Sequence, residues 1–241
     1  GKLNDFVGQY LCALPNFNSM PLYRAYHMQH HRMAGTMDDP DYVMTEKFPV
    51  SRSSLRRKLL RDVSGRSGMK FLLGVVGMMA GYWKFQQNGL AQKMDYGKPM
   101  RVSDYAKIFV QNGGHIAVLW QVALWGVLFA LGNGWLYLCW VAAFIFPFPL
   151  FMRVRQIADH AMVANMLDVN PLQHARSTRT NWLERLFIAP HNESYHLEHH
   201  LVPTAPHWHL PKLHALLEQH QVIPPANQTS GIMDVLRRVT V

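Results

Sequence analysis

Two histidine clusters with the same spacing are the clearest candidates for chemistry in this chain. The pattern His-x-x-His-His occurs twice, as His27, His30 and His31 and as His196, His199 and His200. On a helix, residues at i, i+3 and i+4 share one face, so each triplet would point three imidazoles in one direction. Two facing triplets would offer six neutral nitrogen ligands, which suit borderline transition metals such as iron, zinc or copper. The pattern predicts a metal site; a pair of histidine-rich surface helices is the alternative.

Other polar residues near the triplets could orient the imidazoles through hydrogen bonds. These candidates are Asp38, Asp39, Asp41, Asp159, Glu198, Asn192 and His191. Capping or turn formation is the alternative for each carboxylate, and Asp39-Pro40 in particular is typical of a turn. The remaining histidines lack ligand spacing, so we expect structural roles for them: His115, His174, His207, His209, His214 and His220.

A long uncharged stretch lies between the two triplets. No Asp, Glu, Lys or Arg occurs from Ile108 to Met152. Within this stretch two apolar segments, His115–Leu131 and Gly134–Phe151, flank Gly132-Asn133, and Gly-Asn-Gly predicts a tight turn. Each segment is just long enough to cross about 30 Å of hydrocarbon at about 1.5 Å per residue. The stretch predicts a transmembrane helical hairpin over residues 115–151, with a buried hairpin in a large soluble core as the alternative.

The charges that flank the hairpin predict its orientation. Lys98, Arg101 and Lys107 precede it, and Arg153 and Arg155 follow it. By the positive-inside rule both ends are cytoplasmic, so both histidine triplets lie in one compartment. In a bacterium this would be the inner membrane. The net charge of +9 favours anionic headgroups or an acidic partner protein over nucleic acid, for which no fold signature is evident.

The rest of the chain predicts helices and loops, giving an all-α, multi-pass membrane protein with a cytoplasmic helical cap, folded as one domain over residues 1–241. Ser54–Arg66 is a basic amphipathic stretch suited to a membrane surface or to solvent. Phe71–Trp83 is apolar but short, which favours an interfacial or re-entrant segment. Leu210–His220 is a short amphipathic helix that Pro211 begins. Two cysteines are too few for a disulfide framework.

Several segments resemble the membrane fatty acid desaturases. HMQHHRMAGTMDDPDY and YHLEHHLVPTAPHWHLPKLHALL resemble the second and third histidine boxes of that family, and RQIADH resembles the element that supplies a further ligand before the third box. The stretch from Arg176 to Pro203 resembles bacterial members, including the rhizobitoxine-desaturase-like branch. The resemblance implies a helical membrane protein that holds two iron ions among histidines and uses O₂ to remove hydrogen from an aliphatic chain.

One family feature is missing from this sequence. The family has an earlier histidine box, and no histidine precedes His27, while GKLNDFVGQYL resembles the segment that follows that box. We therefore expect an amino-terminally truncated desaturase-like domain that lacks two iron ligands and is inactive as given.

The resemblance also implies roles for particular residues. The expected iron ligands are His27, His30, His31, His160, His196, His199 and His200. Gln156, one turn before His160, could hold a metal-bound water or lie behind the ligands, and an ordinary polar role is the alternative. Asp159 and Asn192 could form hydrogen bonds behind the ligands, and capping or turn formation is the alternative for them.

We expect a desaturase acting on a fatty acyl or related aliphatic chain. The alternatives are a hydroxylase or ketolase of the same superfamily acting on carotenoid, sterol or alkyl substrates, and a non-catalytic or zinc-binding membrane protein. No redox cofactor motif occurs in the sequence, so a separate electron donor, of the ferredoxin type or similar, is expected.

Overall fold

The computed structural model describes residues 1–85 and 91–241. The prediction of a mainly helical chain is confirmed, and the strands among these residues are two or three residues long. The helices are α1 Lys2–Phe6, α2 Met20–Met33, α3 Tyr42–Thr45, α4 Arg52–Val63, α5 Arg66–Met79, α6 Val102–Gln111, α7 Gly114–Ala130, α8 Leu136–Ile145, α9 Pro147–His160, α10 Pro171–His174, α11 Trp182–Phe187, α12 His196–Leu201, α13 Leu210–Gln219 and α14 Ile232–Arg238. The strands are β1 Trp83–Phe85, β2 Ala91–Lys93, β3 Ser177–Thr178 and β4 Gln228–Thr229.

The chain folds into two compact units. The first contains residues 1–28, 61–85 and 91–149 of the described chain, and the second contains residues 29–60 and 150–241. The predicted hairpin turn lies in the first unit, between α7 and α8. Gly132 has a φ of +76°, which suits glycine, and the Asn133 N–H donates to the Leu128 carbonyl at 2.8 Å. The prediction of a tight Gly-Asn turn is therefore correct.

The helices that could span a membrane differ from the predicted hairpin. Within the described residues, one helix is long and apolar enough to cross a bilayer: Leu136–His160, 25 residues, which α8 and α9 form together. It continues well past Phe151, where the sequence predicted the hairpin to end. The α6–α7 pair passes the same test only when it is counted as one span broken by a bend of 72°. The bend falls at Gly113, whose φ of +78° interrupts the helical backbone.

Other helix boundaries also shift. The predicted stretch Ser54–Arg66 is divided at Gly65, whose φ is +79°, so Arg66 begins α5 rather than ending α4. The predicted interfacial segment Phe71–Trp83 is mostly the carboxyl-terminal half of α5, and Trp83 begins a strand. A side chain at Gly68 would lie 2.2 Å from the Ile145 carbonyl oxygen, so glycine is needed where α5 packs against α8.

In the first unit, indole and amide donors fix the amino-terminal segment. Trp120 donates to the Tyr10 carbonyl, Gln121 to the Leu14 carbonyl and Trp140 to the Pro15 carbonyl. These carbonyls lie where the first helical segments end, so the side chains satisfy groups that the helix leaves unpaired. An apolar cavity of about 320 Å³ lies in the same unit, chiefly between α5 and α7.

The second unit has its own core, in which α9 packs with α4 and α14. Its buried side chains are Phe48, Leu55, Val154, Ile157, Ala158, Ala161, Ile232, Val235 and Val239. Strand β3 pairs in parallel with β4, Ser177 opposite Gln228. This core fixes the carboxyl-terminal end of α9, and that end bears His160.

Candidate metal centre

Three elements of the second unit present histidines to one another. His30 and His31 lie in the last turn of α2, His160 ends α9, and His196, His199 and His200 lie on the short helix α12. The predicted helical placement of both triplets is therefore correct. His30, His160 and His200 are buried, while His31, His196 and His199 are partly accessible. His27 belongs to the first unit; it lies one turn before His31 on α2, and its ring stacks on Tyr23.

The Nε2 atoms of the histidines in the second unit converge. His30 Nε2 lies 3.1 Å from His200 Nε2, which lies 3.0 Å from His196 Nε2, which in turn lies 2.9 Å from His160 Nε2. His31 Nε2 and His199 Nε2 are 2.9 Å apart. Residues separated by as many as 170 positions in the chain thus bring their ring nitrogens into hydrogen-bonding range.

Hydrogen bonds on the far side of the rings fix two of these imidazoles. His30 Nδ1 donates to Asp39 Oδ1 at 2.7 Å, and His160 Nδ1 donates to the His174 carbonyl at 3.0 Å. A neutral imidazole that donates from Nδ1 keeps a lone pair on Nε2. In this neutral form, His30 and His160 would direct their Nε2 lone pairs into the cluster, which is the arrangement that a metal ligand requires.

Burial favours neutral imidazoles on α12. It lowers the pKa of His196 and His200 well below the ordinary value, and the charges of neighbouring histidines lower both further. The pKa of His199 is also lowered, again mainly by burial. His30 differs, because burial opposes its charged form but the hydrogen bond to Asp39 and the charges of Asp41 and Asp39 together raise its pKa.

A carboxylate also lies beside His196. Asp159 Oδ2 is 3.8 Å from His196 Nδ1 and 3.7 Å from Arg155 Nε. Arg155 donates in addition to the Glu193 carboxylate. Asp159 thus lies behind a histidine of the cluster, where the sequence predicted a supporting carboxylate.

Arg176 joins the two elements that carry His160 and the second triplet. Its side chain is 1% exposed, and its guanidinium donates to the carbonyls of Ala158, Ala161 and Met162 at the end of α9. The backbone N–H of Arg176 donates to the Asp159 carbonyl, and the backbone carbonyl of Arg176 accepts from the Leu197 N–H on α12. Burial lowers the pKa of Arg176 to about 10, so it remains a cation at neutral pH. A cation here also complements the negative end of the helix dipole.

Glu198 faces away from the cluster, into the protein. It is fully buried; Ser177 Oγ donates to its Oε2 at 2.5 Å, and His214 Nδ1 lies 2.6 Å from its Oε1. The hydrogen bond to Glu198 raises the pKa of His214. The sequence named Glu198 as a possible support for imidazoles; in the structure its partners are Ser177 and His214, through which it fixes α12 against β3 and α13.

The remaining candidates lie in varied surroundings. Gln156 is partly buried on α9, one turn before His160. The Asn192 amide donates to the His207 carbonyl, and the His191 ring packs on the His207 ring. Asp38 is exposed. No spacing or motif marked Arg176 or Ser177, and the structural role predicted for His214 left its partner Glu198 unidentified.

The donor set fits a transition metal. The ligand atoms of His30, His160, His196 and His200 all lie within 4.8 Å of one another. Two imidazole nitrogens bound to one ion at about 2.1 Å lie at most about 4.2 Å apart, so small movements would let these four share an ion. Neutral nitrogens that are buried and oriented from behind are typical of zinc, copper and iron sites.

Comparison with known proteins agrees with this geometry. The model of the family described as fatty acid desaturase matches residues 1–228. The dihydrorhizobitoxine desaturase of Bradyrhizobium elkanii is 31% identical over 75 residues, a stretch that covers 31% of this chain and 21% of that protein. Since the family match includes all three histidine-bearing elements, the resemblance inferred from the histidine boxes is confirmed, and the chain belongs to the fatty acid desaturase family.

Proposed function

We propose that the protein is an O₂-dependent desaturase that introduces a double bond into a fatty acyl or related aliphatic chain at a histidine-bound di-iron site. The observation that carries this proposal is the convergence of the His30, His160, His196 and His200 Nε2 atoms in a member of the fatty acid desaturase family. The family is generally di-iron dependent. A hydroxylase or ketolase would use the same ligands, so the two activities are separated by their products.

The proposed ligands fall into two groups. His30, His160, His196 and His200 would hold one iron. His31 and His199, whose Nε2 atoms are 2.9 Å apart, would contribute to the second, together with His27 one turn earlier on α2. Gln156 and Asp159 would lie behind the ligands. When bound, reduced iron supplies the O₂ activation that hydrogen removal from an unactivated methylene requires.

The protein itself provides orientation and a dry site. Asp39 and the His174 carbonyl hold the tautomers of His30 and His160, and burial keeps His196 and His200 neutral. The apolar cavity of the first unit, about 320 Å³, falls in the range of ligand pockets and has the lining that an aliphatic chain needs. Gln121 and Tyr137 lie in its wall, and the Tyr137 hydroxyl donates to Oε1 of the Gln121 side chain.

The overall reaction requires electrons from outside the chain. Removal of two hydrogens from a –CH₂–CH₂– unit and reduction of one O₂ to two waters consumes two further electrons and two protons. With two cysteines and no redox cofactor motif in the sequence, we propose that a ferredoxin-type or similar donor supplies these electrons. Arg56 and Arg57, exposed on α4, offer positive charge that suits an acidic carrier or anionic headgroups.

We further propose a multi-pass membrane protein whose active site faces the cytoplasm, in the inner membrane if the source is bacterial. The family is generally membrane-associated, and Leu136–His160 could cross a bilayer. The uncharged α7–α8 turn between basic flanks supports the orientation.

The test is expression of the protein at its full natural length in a host that lacks it, followed by mass spectrometry. A new species two mass units lighter than a host compound supports desaturation, and one sixteen units heavier supports hydroxylation. Since the relative's name gives dihydrorhizobitoxine as its substrate, the profile should extend beyond acyl lipids. Metal analysis completes the test: two irons per chain are expected, and zinc or no metal would contradict the di-iron proposal.

A further inference from the structure

Helix α11 exposes an unusual density of large apolar side chains. Five of its six residues are exposed, and four of these are large and apolar: Trp182 by 72%, Leu183 by 47%, Leu186 by 61% and Phe187 by 53%. Trp182 and Leu186 are four positions apart, as are Leu183 and Phe187, so the four side chains form two adjacent stripes. Contiguous exposed apolar surface of this kind marks a site of interaction with a membrane or a protein.

The Asn181 and Glu184 side chains hold α11 in place. The Asn181 side chain accepts from the Leu183 and Glu184 N–H groups, and the Glu184 carboxylate accepts from the Asn181 N–H. Glu184 Oε1 also accepts from the Ile232 N–H at the start of α14. Because the capping box and a tertiary contact both use the Asn181 and Glu184 side chains, rotation that would bury the apolar stripes would break these hydrogen bonds.

Two observations favour lipid as the partner of this surface. The Phe187 ring stacks at 5.9 Å on Phe151, which belongs to the apolar helix Leu136–His160, so the exposed surface continues that of the membrane-span candidate. Arg185 is exposed on the same helix, which places a cation where anionic headgroups would lie. Tryptophan beside cations is typical of the membrane–water interface.

We propose that α11 lies in the membrane interface as an anchor, with Trp182, Leu186 and Phe187 among the acyl carbons and Arg185 among the headgroups. This inference concerns a surface that the desaturation chemistry does not use, and it depends on membrane association rather than on metal binding. Phe187 is followed after a short connection by His196, the first residue of α12. The anchor therefore fixes the depth of the second histidine triplet relative to the bilayer.

Nitroxide labelling tests this placement. Single cysteines at positions 182, 186 and 187 are introduced into the full-length protein with Cys12→Ser and Cys139→Ser, labelled, and reconstituted into phosphatidylcholine–phosphatidylglycerol vesicles. Matched controls are Arg185→Cys on the same helix and Lys212→Cys at an exposed position of α13. We expect power saturation to show greater access to O₂ than to a water-soluble nickel complex at 182, 186 and 187, and the reverse at 185 and 212.

Two results would overturn the proposal. Preferential access to the nickel complex at all five positions would place α11 in water. Shielding of 182, 186 and 187 from both reagents would indicate a protein partner or a second copy of this chain. If one labelled variant fails to fold, the other positions answer the question, and quenching by brominated lipids compared between the unmodified protein and Trp182→Phe gives an independent measurement.

Discussion

His30 combines more constraints than any other residue of the cluster. It is 2% exposed, its Nδ1 is held by Asp39, and its Nε2 lies 3.1 Å from His200 Nε2. A buried imidazole with contacts at both nitrogens has little freedom to rotate. The site consists of imidazoles that the surrounding protein holds in place, so metal binding should be lost when a single one of these side chains is removed.

Replacing any of His30, His31, His199 or His200 by alanine should abolish product and lower bound iron in the full-length protein. The reason is that each removes a nitrogen that lies within about 3 Å of another ring nitrogen. Product analysis and iron stoichiometry of the purified variants are the measurements. His220→Ala is the matched control, since His220 is exposed and should retain activity. Retained activity in two or more of the four variants would contradict the di-iron assignment.

His214 needs a different expectation from His220. It is 6% exposed and lies 2.6 Å from the fully buried Glu198 carboxylate, so its removal leaves a buried charge with one partner fewer. His214 is therefore a structural residue, as the sequence predicted, but its replacement should destabilise the protein.

Asp39→Asn should weaken iron binding about 10- to 100-fold, which is the usual cost of losing a partner behind a metal-bound histidine. The change keeps the size of the side chain while reducing its strength as the acceptor for His30 Nδ1. Iron affinity measured by competition with a chelator reports the effect. Asp38→Asn, at the exposed neighbouring position, should bind iron as the unmodified protein does. Equal affinities for the two variants would remove Asp39 from the site.

The sequence predicted the histidines at this scale better than their supports. Spacing located both triplets, and the family resemblance located His160. Three neighbouring aspartates were equally good candidates for the carboxylate behind a ligand, and only the fold of the loop after α2 selects Asp39 for His30. Arg176 begins the stretch that resembles bacterial desaturases, but neither that resemblance nor any spacing predicted that its side chain would be buried.

The helices that carry the proposed ligands are either short or carry the ligand at one end. Contacts with neighbouring elements therefore hold the ligands in place. Helix α12 has six residues, too few to be stable alone, and it is held by Glu198 from within and by the Arg176 carbonyl at its start. Helix α9 bears its ligand at its last residue, where carbonyls lack helical partners. The positions of both elements therefore depend on Arg176.

Arg176→Gln should lower the free energy of unfolding by about 3 kcal/mol or more, because a buried acceptor left unsatisfied costs about 1–3 kcal/mol and Arg176 serves three carbonyls. Thermal inactivation of the detergent-solubilised protein measures the loss, and iron content should fall with it. Arg179→Gln is the control: the Arg179 side chain is 70% exposed and pairs with Glu218, and such a surface pair contributes less than about 1 kcal/mol. Similar losses for both variants would contradict the clamping role.

Helix boundaries show where sequence reasoning stopped at the element scale. The turn at Gly132-Asn133 was predicted because an apolar run stopped at residues typical of turns. The sequence did not predict the break between α4 and α5 at Gly65 or the bend at Gly113. A glycine in a helical pattern can either continue the helix or end it. In both cases the positive φ angle, which the sequence does not reveal, decides the outcome.

For the whole molecule, we predict the membrane topology from the pattern of charge and hydrophobicity. Single cysteines at Lys98 and Val169 should react with a membrane-impermeant maleimide only from the cytoplasmic face, and one at Asn133 only from the other face. All three positions are exposed, and Cys12→Ser with Cys139→Ser provides the background. Intact cells compared with inside-out vesicles give the measurement. Labelling of positions 98 and 169 from opposite faces would contradict the hairpin.

His30 and His200 are 170 positions apart, yet their Nε2 atoms nearly touch. An ion bound to both would act as a reversible cross-link, because it closes one of the longest loops that the chain can form. A covalent link over such a loop removes about 5 kcal/mol of chain entropy from the unfolded state. Chelation should therefore lower the thermal midpoint and increase the rate of proteolysis, in addition to stopping turnover; unchanged protease resistance would show that protein contacts alone hold the loop closed. With this cross-link, the supply of iron would regulate how long each protein molecule survives as well as how fast it works.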